Sequence, residues 1–235
     1  HPSPLWFADS VLLAALLLTP RNRWWMFIAA QVPIRFFLVV DDGNPVWFLL
    51  VCFLNDSLKV LLSATLLTRG SSVGKWFESV RGFMKYLMIA VTPSPALSAI
   101  GGALSRGPLG SPFWLAWRQW FLGDALTALV VTPALYCFAR DFRRIARTSL
   151  ARQIEACLMF LGLFAGAYFA FGLSQPESSV LLVYLPVPFL LWAAVRFGLL
   201  ETSGGLSAMT VLAMFWATAG RGPFASSSSD IALSI

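Results

Sequence analysis

Long apolar runs alternate along the chain with short clusters of Pro, Gly, Ser and charged residues. About 20 mainly apolar residues carry a helix across a bilayer. The pattern therefore predicts an all-α fold, a polytopic transmembrane helix bundle with about eight spans. They run approximately from Leu5 to Thr19, Trp24 to Val40, Val46 to Thr68, Gly82 to Leu104, Trp114 to Phe138, Ile154 to Leu173, Val180 to Phe197 and Gly205 to Thr218. The first and last are short for a crossing. Pro93, Pro95 and the pair Gly101-Gly102 predict an interrupted fourth span, because Pro removes a backbone donor and Gly permits close approach. In the sixth, Gly162 and Gly166 stand in the Gly-x-x-x-Gly spacing of close helix packing. No internal repeat is apparent, which argues against an inverted-repeat transporter.

Composition agrees with a membrane protein. Of 235 residues 58% are hydrophobic and 12% charged, where a soluble domain carries roughly a quarter charged. The mean hydropathy is +0.74. A pI of about 9.7 does not point to nucleic acid, because the basic residues are spread between spans instead of forming one face. Cys52, Cys137 and Cys157 sit in apolar segments without metal-ligand spacing, and the sole histidine is His1. No cofactor and no metal site is expected. The chain opens without Met and stops as an apolar run begins at Ile231, so it reads as a fragment of a longer protein.

Charge sets the orientation. The connections after spans one, three and five hold Arg21, Arg23, Arg69, Lys75, Arg81, Lys85, Arg140, Arg143, Arg144, Arg147 and Arg152, whereas the opposite loops hold Arg106 and Arg221. Basic loops face the cytoplasm. Residue 1 is accordingly expected outside.

A second set of charges lies inside the spans. Asp9, Arg35, Asp56 with Lys59, Arg118 and Asp124 fall in the outer half or near the midplane of spans one, two, three and five. Ionisable groups at such depth pair, hydrate or face the bundle interior. Asp56 and Lys59, three residues apart, can pair on one helix face. Arg35 has no acid within its span and Asp9 no base. Arg118 and Asp124, six residues apart, point about 120° apart around a helix. Trp114, Trp117 and Trp120 form an aromatic stripe suited to the headgroup layer. These observations give a candidate ligand-binding set, Asp9, Arg35, Asp56, Arg118, Trp120 and Asp124, around a polar cavity in the outer half.

Several stretches carry a resemblance. They are Ser3-Pro-Leu-Trp6 leading into Ala8-Asp9, Thr19-Pro-Arg-Asn-Arg-Trp24, Gly123-Asp-Ala-Leu126 running to Thr132-Pro133, Leu185-Pro-Val-Pro-Phe-Leu-Leu-Trp-Ala-Ala-Val-Arg-Phe-Gly198 and Gly220-Arg-Gly-Pro-Phe224. Together they resemble MASE1, a family of integral-membrane sensory domains of bacteria. Many members have Trp-Pro-x-Ser-Gly where this chain has Trp6-Phe-Ala-Asp-Ser10. The resemblance implies one sensory domain over 1–235 in the bacterial cytoplasmic (inner) membrane, with flanking helices beyond it. It also implies a C-terminal histidine kinase or diguanylate cyclase, as in two-component signal transduction.

The expected function is thus signal input. A small-molecule or protein stimulus would act on the polar cavity, with the lipid bilayer as surroundings and a homodimer formed through the output domain. A secondary transporter or channel could use the same charges as a pathway, and a docking or dimerisation module would need no ligand. With no usable His, no Gly-x-Ser-x-Gly and no His-Glu-x-x-His, the visible segment is not expected to be an enzyme.

Overall fold

The computed structural model describes residues 6–39, 45–69, 76–145, 148–173 and 182–223, without the side chains of 34–39 and 142–145. Those described residues are helices and short connections, with no strand among them. The helices are α1 (Phe7–Leu18), α2 (Trp24–Val39), α3 (Val46–Thr68), α4 (Val80–Tyr86), α5 (Pro93–Arg106), α6 (Phe113–Ile145), α7 (Leu150–Ala167), α8 (Val187–Arg196) and α9 (Leu199–Thr218). A π turn at Leu87–Val91 joins α4 to α5, and a second at Tyr168–Leu173 extends α7.

The expected count of eight crossings is corrected here. Four stretches among the described residues are long and apolar enough to cross a membrane: Val46–Thr68, Val80–Leu109, Phe113–Asp141 and Leu150–Leu173. Phe7–Leu18 and Leu182–Arg196 are shorter apolar helices. The physical reason is rise per residue. The 12 residues of α1 cover roughly 18 Å at 1.5 Å each, short of a hydrocarbon core about 30 Å thick. Polar punctuation separates the helices but does not measure them. α9 has 20 residues, but Glu201, Thr202, Ser203, Gly204 and Gly205 fill its first turns.

The chain divides into two compact units, His1–Tyr136 and Cys137–Ile235. In the first, α3 shows the inverted patterning of a membrane helix. Its buried stripe includes Cys52, Asp56, Lys59, Val60, Ser63, Ala64 and Leu67, while Leu54, Leu58 and Leu62 are exposed. Polar groups turn inward because lipid cannot solvate them. One end of this unit gathers basic and aromatic groups around the last carbonyls of α3. Arg21 donates to Thr65 O (3.2 Å) and Thr68 Oγ1 (2.6 Å), and Lys85 Nζ donates to Leu67 O (3.1 Å) and Arg69 O (3.0 Å). Trp76 Nε1 also donates to Leu67 O, and the Trp76 ring meets Tyr136 edge-on. Cations at a helix C-terminus oppose the partial negative charge of its unpaired carbonyls. The connections after α1 and α3 therefore lie at the same end of the unit. Lys75, Arg143, Arg144 and Arg147, and the run from Ile231, lie outside the described residues or side chains. At the other end, Gly110 takes a left-handed φ of 84°, closing the tight turn that admits α6.

In the second unit the Gly-x-x-x-Gly face of α7 packs closely. The Phe189 ring occupies the space a side chain at Gly162 would need, and backbone at Leu185 and Pro186 lies against Gly166. A core of Ala167, Ala170 and Phe171 is covered by Met209, Leu212, Ala213 and Trp216 of α9. Glu155 accepts from Arg196 Nε at 2.7 Å, and Arg152 donates to Arg196 O at 3.0 Å.

Candidate functional site

Lys59 is the centre of the polar interior of the first unit. The stripe that buries Asp56 and Ser63 also turns Lys59 toward α1 and α6. Its Nζ lies 2.5 Å from Asp9 Oδ2, 2.5 Å from Asp124 Oδ2 and 3.7 Å from Asp56 Oδ1. The local Asp56–Lys59 pair is thus the longest of the three. The two short contacts are interhelical. Asp9 stands in the first turn of α1, where the helix dipole favours a carboxylate. All four side chains are close to nine-tenths buried.

Three carboxylates share one ammonium. One ligand oxygen of each acid lies within 4.8 Å of the other two, a spacing that demands a cation, and Lys59 supplies one. Burial makes this arrangement expensive to disturb: removing one partner of a buried pair leaves an uncompensated charge in low dielectric.

Around the cluster is a cavity of about 20 Å³, room for about one water. Its lining includes Asp9, Lys59 and Asp124 with the hydroxyl residues Ser10, Ser63, Thr127 and Thr132. The hydroxyls bind one another and the backbone. Thr132 Oγ1 donates to Ser10 Oγ (3.0 Å), Ser10 Oγ to Thr127 O (3.2 Å), and Ser63 Oγ to Lys59 O (2.9 Å). Tyr86 OH donates to Ala128 O at 2.5 Å. Extra donors to α6 carbonyls suit a helix in which Pro133 lacks the N–H that would bond Leu129.

Of the six candidates, Asp9, Asp56 and Asp124 are brought together. Trp120 lies half-buried on α6, its ring lodged over Gly102 of α5. Arg118 is exposed on α6. Neither lines the cavity. Arg35 belongs to α2, and its side chain is outside the described residues. Sequence reasoning credited Lys59 with a local pair and missed its role as hub. The available signal was that Asp9 has no base in its own helix and that Lys59 is the one lysine deep within a span. Asn55, beside Asp56 near the middle of its span but not among the candidates, donates through Nδ2 to Ser98 O (3.0 Å) and Ser98 Oγ (2.8 Å), tying α3 to α5.

With this geometry in place, the sequence profile of the MASE1 family matches residues 2–234. The chain belongs to the MASE1 family. MASE1 domains are membrane-associated sensory domains and not catalytic ones. The chain is therefore a multi-pass membrane sensory domain in contact with the bilayer. Comparison with curated proteins and with solved structures gives no match. In this MASE1 domain the Lys59 cluster sits where α1, α3 and α6 meet.

Proposed function

We propose that this chain is one signal-input domain, 1–235, of a bacterial signalling protein in the cytoplasmic membrane. In this reading a small-molecule or protein stimulus rearranges the Asp9–Asp56–Lys59–Asp124 network. The rearrangement regulates a C-terminal histidine kinase or diguanylate cyclase, with dimerisation through that output domain. The observation that carries the reading is one ammonium shared between acids of three helices. Such a hub has more than one way to satisfy its charges, and each way favours a different helix packing. A stimulus need only prefer one packing to shift the population. Because the cavity holds about one water, a larger ligand reaches the cluster only as the helices part.

Asp124→Asn tests this. Asn keeps the side chain's shape and hydrogen bonding but removes its charge. In the full-length protein the variant is expected to accumulate normally while the stimulus response of its output activity changes several-fold. An unaltered response would make Asp124 structural and remove it from the signalling site.

The same reading places the basic connections in the cytoplasm. In a background lacking the native cysteines, Ser111→Cys is expected to react with an impermeant thiol reagent in intact cells. Ser149→Cys is expected to react only after permeabilisation. External labelling at Ser149→Cys reverses the orientation.

A further inference from the structure

The helix opposite the charge cluster is broken in a specific way. Pro93 cannot donate to the carbonyl of Ile89, and the Ser94 hydroxyl takes that place, donating to Ile89 O at 2.7 Å. Two residues earlier, Thr92 donates to Leu87 O through both its N–H (3.1 Å) and its Oγ1 (2.6 Å), closing the π turn. Pro and π turns are the usual causes of helix kinks, and Ser and Thr side chains are what re-satisfies freed backbone inside a membrane. Side-chain hydroxyls hold these bonds through rotatable torsions, so the segment can bend without exposing bare carbonyls. The break also lies against the cluster: Ala90 and Pro95, on either side of Thr92, line the cavity with Lys59, Asp9 and Asp124.

Each half of the broken helix has its own anchors. Below the break, Tyr86 is bonded to α6 and Lys85 to the end of α3. Above it, Ser98 accepts from Asn55, the neighbour of Asp56, and Ala96 O accepts from Trp117 Nε1 at 3.2 Å. A shift of the middle of α3 at the cluster is thus carried to α5 through Asn55, while α4 is held at the far end of α3 and on α6.

We propose that Leu87–Pro95 is a hinge on which α5 tilts relative to α4, widening or closing the cavity as the charge state of the cluster changes. The inference rests on reading the cluster as a switch, and it adds the moving part. A tilt of α5 is the route by which a cavity of one water becomes large enough for a stimulus.

Spin labels test it. Met84→Cys and Leu104→Cys, both at exposed sites on the two halves, stand about 20 residues apart, roughly 30 Å along a helix. The measurement is the label-to-label distance distribution by pulsed EPR in the full-length protein, without native cysteines, in nanodiscs. Asp124→Asn is expected to shift the mean or add a second population, and Asp9→Asn serves if the first variant does not accumulate. Ser94→Ala, with the cluster intact, is expected to broaden the distribution. A charge-neutral variant that keeps the parent distribution overturns the hinge. If the distances stay fixed while Asp124→Asn alters output, the hinge fails and the sensory reading stands. If the distances move while output does not, the hinge stands and the sensory reading fails.

Discussion

Lys59→Met is expected to be the most damaging single substitution in the first unit. It removes the ammonium that lies 2.5 Å from both Asp9 and Asp124 and takes a positive charge from among three buried carboxylates. Breaking a buried ion pair from one side costs about 3–5 kcal/mol. Met fills most of the space of the Lys stem, so lost packing contributes little. The expected result is a large fall in the thermal midpoint of the purified protein, or failure to accumulate in the membrane. Asp56→Asn, whose contact is 3.7 Å, is expected to be much milder, because it keeps both short pairs. The decisive measurement is rescue. Lys59→Met combined with Asp9→Asn and Asp124→Asn is expected to regain much of the lost midpoint, since the interhelical carboxylates are then neutral. A triple variant as unstable as Lys59→Met alone would mean that Lys59 acts through packing and not through charge.

Which parts of this molecule were legible in its sequence follows from the range of the forces involved. The bounds of α3, Val46–Thr68, coincide with the expected span because Pro45 and Arg69 mark its ends and everything between is helix-compatible. The interruption near Pro93 was legible for the same local reason. The π turn before it was not, since no residue type in Leu87–Val91 announces one. Crossing number failed where hydropathy and length part company, in α1 and α8. At the site, depth along each helix placed Asp9, Asp56 and Asp124 in one layer, and the structure joins them through Lys59. Depth says nothing of azimuth, however. Arg118 is only six residues from Asp124, yet it points about 120° away around α6 and is exposed. Charge in a span is a one-dimensional signal, whereas a shared partner is a property of three helices.

The contact between Trp120 and Gly102 shows the same limit and gives the second large effect. Trp120 was expected to line a ligand site as part of an aromatic stripe. In the structure Trp114 is 73% exposed, in keeping with a headgroup position. Trp117 stacks on Phe121 at 5.1 Å. Trp120 instead turns toward α5, its ring occupying the position where any side chain at Gly102 would begin. Gly is required there for close approach, since the φ of that residue is not in the left-handed region. Gly102→Ala is expected to displace the indole and cost about 1–3 kcal/mol, as overpacking does, with a larger loss for Gly102→Val. The test is a double-mutant cycle read by thermal unfolding. Trp120→Leu opens space beside Gly102, so Gly102→Ala is expected to cost markedly less in that background than in the parent. Additive losses would show that the ring and the glycine are not in contact and that α5 does not pack on α6 as described. A coupled pair locates the grip that α6 holds on α5, the helix that tilts if the hinge operates.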